Sequence, residues 1–224
     1  MFNSQTLHPQ TNDISSVLDR ANVSSLYHLT HIRNLPLIAR LDGLVSKAEL
    51  VRRNLHPQVD ANRDEQTMAV DYLVGNWDKV RLTWCAIHPM FFRMGNTQYR
   101  CLIRVKPMVA LGPDVVFTDR NSHDGDSSRA GGLEGLGRVD FSAVQQRFPL
   151  KSERIKRNKQ AEVIVPEVNL NDFVRVHFWD WQAYKTAMNT CQDFPELTRL
   201  FDYDPDFIKE QTGRKKAGKQ LRLI

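Results

Sequence analysis

The sequence predicts one α+β domain. Short strand-like runs and short helical stretches follow one another without a regular strand–helix–strand alternation, which disfavours a doubly wound sheet. No internal repeat divides the chain. Its 224 residues, 41% apolar and 25% charged, suit a globular protein with a real core and room for a small appendage.

Residues 1–24 read as a polar leader, with a short helix around Ile14–Ala21. The opening MFNSQTLHPQTNDISS has no apolar signal core, so export is not expected. Leu26–Thr30 reads as a strand, its aromatic and β-branched residues set on alternating faces. A short helix follows. Asn34 can cap it, Pro36 is tolerated in its first turn, Leu37, Ile38 and Leu41 can form its buried stripe, and Gly43 can end it. Val45–Val51 continues as an extended or helical piece, and RRNLHPQVDANRDEQ at 52–66 as a loop running into a helix.

Val80–Ile87 is an apolar strand candidate, and HPMFFRM at 88–94 an amphipathic turn. Arg100–Val105, stopped by Pro107, and Val115–Thr118 are further strands. Residues 119–138 are rich in Gly and Ser and should form the most mobile interior loop. The GGLEGLG run within them has neither the spacing nor the surrounding βαβ unit of a dinucleotide fingerprint. Val139–Phe148 reads as a short helix, Ala161–Val165 as a strand stopped by Pro166, and Phe173–Phe178 as an alternating strand. Trp181–Cys191 and part of 196–211 have helical composition.

The formal net charge is +5, with a sequence pI near 9.2. Residues 147–159 and 207–224 each carry six basic residues and one acid, so the rest of the chain is acidic by about five charges. Two cationic segments on an acidic body suit contact with a phosphate backbone, although a basic tail alone is equally a solubilising one. The three cysteines, Cys85, Cys101 and Cys191, lie far apart and lack C-x-x-C spacing. This argues against a disulfide framework and a zinc ribbon, and favours the cytoplasm. No stretch approaches the ~20 apolar residues of a membrane helix.

His28 and His31 in LYHLTHIRNLPLIARLDGLVS, residues 26–46, invite a metal-site reading. On a strand, however, His28 shares a face with Thr30 while His31 points away, and no nearby Cys or carboxylate supplies a third ligand. No metal is expected. Taken alone, His28 reads as a half-buried histidine bonded to backbone.

The same stretch resembles the opening motif of the DarT family, the DNA ADP-ribosyltransferase toxins. The matching residues are Tyr27, His28, Thr30 and His31, then Asn34, Leu35, Pro36 and Ile38, then Gly43, Leu44 and Ser46. HPMFF at 88–92 resembles the family's Pro-Met-aromatic segment, and RNKQAEVIVP at 157–166 the segment that carries its catalytic glutamate, here Glu162. The matches span about residues 26–168. The family's catalytic arginine falls between the first two motifs. Arg63 fits that separation best, and Arg52 and Arg53 are alternatives.

The resemblance implies an ADP-ribosyltransferase fold over residues 25–210, with two small antiparallel β-sheets around an NAD cleft, flanking helices and a basic tail at 211–224. It implies transfer of ADP-ribose from NAD, the co-substrate, to a base in single-stranded DNA, thymine before guanine. It also implies a toxin whose partner is a macrodomain antitoxin. His28, Leu29, Thr30 and Leu37 would hold NAD. Glu162, on a strand where Val163 and Val165 take the core face, would steady the ribose as positive charge develops on it. Arg154, Lys156 and Arg157, just ahead of that strand, would hold the DNA, with Phe148 as a stacking surface. Rival readings keep the fold but change the acceptor to RNA or an RNA 2′-phosphate, or keep only nucleic-acid binding without catalysis. Glu162 speaks against the last, because a binding groove gains nothing from a carboxylate that repels phosphate.

Overall fold

A computed structural model describes residues 7–55, 71–73, 75–92 and 99–212. Helix α1 (Thr11–Arg20) precedes strand β1 (Leu26–His31), a 3-10 turn (Ile32–Asn34), α2 (Leu35–Arg40), β2 (Gly43–Leu44) and α3 (Lys47–Arg52). The middle of the chain supplies β3 (Val80–Thr83), a 3-10 turn (Pro89–Phe92), β4 (Arg100–Val105), β5 (Val116–Thr118), β6 (Arg129–Gly131), α4 (Gly132–Leu136), α5 (Phe141–Val144) and α6 (Glu153–Asn158). Strands β7 (Glu162–Val165), β8 (Val168–Asn169) and β9 (Phe173–Phe178) follow, then α7 (Trp181–Thr190), α8 (Pro195–Thr198), β10 (Phe201–Tyr203) and α9 (Phe207–Thr212).

Eight strands form one ladder in the order β10-β9-β4-β1-β3-β7-β5-β6, and β2 pairs with β8 apart from it. Every pairing in the ladder is antiparallel except that of β9 with β10. The expected pair of small sheets is visible as its two halves. Strand β1 runs the length of β4 over six residue pairs, but it meets β3 only at Tyr27 and Thr83. The ladder therefore divides between β1 and β3, at the strand that carries the two histidines.

Side-chain alternation sorts the strands onto two cores. Leu26, Cys101, Ile103, Val105, Leu82, Val163, Val165 and Phe117 enter the main core. Tyr27, Leu29 and Leu102 turn to a second cluster with Phe91, Phe148, Trp179 and Phe207. Helix α1 lies in the stretch expected as a leader, yet its Ile14 and Leu18, one turn apart, are buried in the main core.

Local chemistry sets the elements. Ser46 Oγ accepts the Glu49 N–H at 3.1 Å and starts α3; Ser152 Oγ accepts the Ile155 N–H at 3.3 Å and starts α6. Asp140 caps α5 by accepting the Ala143 N–H at 3.0 Å. Gly43 does not end the helix as expected: α2 stops at Arg40 and the chain turns at Asp42, at φ +55°. Gly43 opens β2 at φ +144°, and a Cβ there would lie 2.0 Å from the Val168 carbonyl oxygen, so only glycine lets β2 reach β8. Asn34 precedes α2 as expected, but its side chain donates to Thr30 Oγ1 at 3.4 Å instead of capping the helix. The run expected as a strand over Val80–Ile87 bends away after Thr83, and β8 and β10 are too short to show in the sequence pattern.

The glycine- and serine-rich 119–138 stretch is not the open loop its composition suggests. Asp119 Oδ1 accepts the Ser128 N–H at 2.9 Å and Asn121 Oδ1 the His123 N–H at 2.8 Å; Arg129–Gly131 then pairs with β5 and a helix follows. Short polar side chains here bond backbone, which holds the turn closed without an apolar core.

Candidate active site

The site is built where the two half-sheets part. Tyr27, Thr83 and Glu162 stand opposite one another across β1, β3 and β7. Residues directly opposite share a face, so Glu162 lies on the same face as Thr83, with Arg81 two residues along β3 and Ile164 two along β7. Val163 and Val165 take the other face and are buried in the main core, as the alternation predicts.

Glu162 is 8% exposed and held at both ends. Its N–H donates to Thr118 Oγ1 at 2.9 Å, and its Oε2 accepts the Ser122 N–H at 2.9 Å. A backbone donor aimed at one carboxylate oxygen stabilises the ionised form and fixes its direction. Behind Ser122, Asn76 Nδ2 donates to Ser122 Oγ at 2.9 Å. Arg129 Nη2 donates to both Asn76 Oδ1 and the Ser122 carbonyl at 3.4 Å. Arg129 stands in the fields of Glu162 and Arg81, and burial holds its guanidinium below the usual arginine range.

A second cluster fixes the same loop. His123 Nε2 lies 2.5 Å from Asp71 Oδ1 and 2.8 Å from Arg81 Nη1, and Arg81 and Asp71 are 3.4 Å apart. Arg157 forks onto Asp124 at 2.7 and 2.8 Å and onto Asp126 at 2.9 Å. The acid pair raises the Arg157 pKa further, and the guanidinium in turn lowers that of Asp124. The loop that delivers the Ser122 N–H to Glu162 is thus clamped from β3 and from α6.

His28 is half-buried, and its Nδ1 lies 3.1 Å from the Arg81 carbonyl. A carbonyl only accepts, so Nδ1 carries the hydrogen and the neutral ring presents Nε2 as an acceptor. The backbone bond read from the sequence is present, and it spans the division between the half-sheets. Thr30 is buried on the same face of β1, with its Oγ1 held by Asn34. Leu29 turns to the second cluster, and Leu37 is half-buried at the start of α2. His31 points to the other face, where its Nδ1 accepts the Arg33 N–H at 3.2 Å. Among the described residues no group of three His, Cys, Asp or Glu is arranged to hold a metal ion.

Arg63 lies outside the described residues. The alternatives Arg52 and Arg53 both clasp Glu49 on α3, at 2.5 Å each, and hydrogen bonds from the two guanidiniums lower the Glu49 carboxyl to about 2. Of the residues expected on DNA, Arg154 is exposed and Lys156 lies 3.1 Å from Glu153 at the surface, whereas Arg157 is committed to its two aspartates. Lys159 is buried, donates to the Val144 carbonyl and lies 5.7 Å from the Phe148 ring centre.

Sequence reasoning missed Asp71, Asn76, Arg81, Ser122, His123, Arg129 and His88. Arg81 and Arg129 left a weak signal, as charges in strands beside apolar neighbours; His88 stood in a matched segment without being singled out, and the others sit in segments with no pattern. His88 is the first residue of the HPMFF segment. Burial lowers its imidazole to about 4, with Glu162 opposing the shift and Lys159 reinforcing it, so the ring beside this carboxylate is neutral near pH 7. A polar cavity of about 230 Å³ lies at the same end of the strands, lined by residues including Tyr27, Cys85, Gln146 and Lys159 but not by Glu162 or His28. It falls short of the ~300 Å³ at which sites for larger ligands begin, so it does not suit a dinucleotide.

A family model described as ssDNA thymidine ADP-ribosyltransferase, DarT, matches residues 27–205. Among solved structures, the chain is similar to DarT of Thermus sp. 2.9 in complex with ADP-ribosylated ssDNA, with a TM-score of 0.67 and 18% identity over 83% of this chain and 96% of that one. The same Thermus protein in complex with NAD+ gives a TM-score of 0.65 and 19% identity over 83% and 97%. DarTG of Thermosipho africanus in complex with ADP-ribose gives 0.64 and 18%, covering 82% of this chain and 50% of that one. No curated protein matches.

Proposed function

The chain belongs to the DarT family of ssDNA thymidine ADP-ribosyltransferases, and from that premise we propose that Glu162 is its catalytic carboxylate and that His28 and Thr30 hold NAD beside it. The reaction moves ADP-ribose from NAD to thymidine in single-stranded DNA, as the toxin of a pair whose antitoxin is a macrodomain protein. The observation that carries the assignment is Glu162 itself, a buried carboxylate at the start of β7 directed by the Ser122 N–H, across the division that the His28–Arg81 bond spans.

NAD supplies an ADP-ribosyl group whose bond to nicotinamide breaks as positive charge develops on the ribose. The residues of the chain fit that demand. Glu162 keeps one oxygen on the Ser122 N–H and turns negative charge toward the sugar, in a partly apolar setting that screens it poorly. His28, bonded to the Arg81 carbonyl through Nδ1, accepts a ribose hydroxyl at Nε2. Thr30 and backbone at Leu29 and Leu37 complete the hold on the cofactor. Arg63 is proposed to meet the pyrophosphate or help the acceptor base lose its proton.

On the DNA side, Arg154 and Lys156 are proposed to meet the strand, with Arg157 ordering the loop between them and Glu162. A single-stranded target spares the cost of extruding a base from a duplex. No described helix is long and apolar enough to cross a membrane. Because the acceptor is DNA and the three cysteines are free, we place the reaction in the cytoplasm.

The test is mass spectrometry after incubation with NAD and mixed oligonucleotides. One ADP-ribose mass is expected on a thymidine of single-stranded DNA. Modified RNA beside untouched DNA would decide for the other acceptor.

A further inference from the structure

Arg100 is a buried cation that meets no counter-charge among the described residues. It is 5% exposed at the start of β4, and its Nε and Nη1 are buried with no hydrogen-bond partner. The outer nitrogen, Nη2, is not closed off in this way. Uncompensated burial of a guanidinium is costly, and here burial holds its pKa below the usual arginine range.

Its neighbours add positive charge. Arg100 pairs across the strands with His31, whose imidazole feels both Arg100 and Arg33, and no described carboxylate offsets either. His31 Nδ1 accepts the Arg33 N–H, so the neutral ring presents Nε2–H as a further donor. Arg33 itself is exposed. One open guanidinium nitrogen beside an imidazole donor and a second guanidinium suits the oxygens of a phosphate.

Position favours one source of that phosphate. By alternation Arg100 and His31 share the face of Leu102, Leu29 and Tyr27, the face whose row ends at Glu162. Strand rise and spacing put Arg100 roughly 20 Å from Glu162 along the sheet, several nucleotides from a base held at the carboxylate.

We propose that Arg100, with His31 and Arg33 beside it, is a subsite for a backbone phosphate of the single-stranded DNA, remote from the reacting base. The proposal rests on the reading that DNA is the acceptor. It makes Arg100 a strand-positioning residue that carries no sequence information, since phosphate contacts set register and not base choice.

The experiment follows binding of a labelled single-stranded oligonucleotide to the full chain across a salt series, with the KM for NAD and thermal unfolding measured alongside. For Arg100→Met, the slope of log K against log salt should become shallower by about 0.7. Affinity should fall roughly tenfold or more at low salt. The KM for NAD should not change, and the unfolding temperature should hold or rise because an unpaired buried charge is gone. Arg100→Lys should keep the wild-type slope. An unchanged slope in a folded Arg100→Met protein overturns the proposal. So does a raised KM for NAD with the DNA slope intact, which would assign the phosphate to NAD. If Arg100→Met does not fold, Arg33→Gln decides: a slope shallower by about 0.7 supports the subsite, and an unchanged one removes it. A wild-type protein that neither binds nor modifies single-stranded DNA would overturn the acceptor reading as well.

Discussion

Glu162 depends on one backbone donor and one strand neighbour for its aim, so its chemistry is testable by a substitution that keeps its shape. In Glu162→Gln the remaining oxygen can still accept the Ser122 N–H, but the negative charge is lost. Transfer should fall by about 10²–10³ while oligonucleotide binding and unfolding temperature stay near wild type, read by mass spectrometry and fluorescence titration. His88 gives a pH signature. Its pKa is lowered from 6.5 to about 4 in the folded chain, so between those values the unfolded chain binds more protons. Its contribution to stability is therefore complete above about pH 6.5 and is lost as the pH falls through about 4. Urea midpoints should drop across that window in the wild type, and His88→Gln should remove part of the slope.

At the scale of elements, the decisive piece is the turn between β5 and β6. It brings Ser122 to Glu162 and is held by Asp71 and Arg81 through His123, and by Arg157 through Asp124 and Asp126. His123→Ala should loosen the turn without touching the cofactor. The expected result is a kcat lower by about tenfold, the worth of one hydrogen bond to an ionic group, with little change in KM for NAD. Steady-state kinetics over a range of NAD concentrations reads the split, and a raised KM at constant kcat would mean that the turn serves binding instead. The composition of 119–138 announced a loop but not its anchoring, because the bonds that tie it to the rest of the site run to residues more than 30 positions away in sequence. Helix α6 shows the same limit. Its basic composition suggested three DNA contacts, yet Arg157 meets acids of the loop, a pairing that no count of charges along the chain reveals.

For the whole molecule, the division of the ladder between β1 and β3 makes the site, and the main core beneath both halves keeps them in place. Phe117 is fully buried in that core, 5.7 Å from the Trp84 ring centre and paired along β5 with Val163. Phe117→Ala should cost about 3–5 kcal/mol. Against a total of about 5–15 kcal/mol, that lowers the thermal midpoint enough for calorimetry to measure. A change of less than about 1 kcal/mol would mean that this core is not what supports β7 and its carboxylate.

Local pattern determined much of this protein. Alternation over Leu26–Thr30 already set His28 against His31, and alternation over Ala161–Val165 already turned Glu162 from the core, because a strand's two-residue period holds whatever its neighbours are. The stop at Pro166 was likewise written in residue type, whereas Gly43, expected to end a helix, is required by the approach of β2 to β8. Tertiary structure alone decided which strands adjoin, that β1 and β3 touch at a single pair, and that Asp71, Ser122, His123 and Arg129 gather behind Glu162. Those contacts join segments tens of residues apart, and hydrogen bonds between such segments depend on three-dimensional register, which periodicity within one segment does not encode.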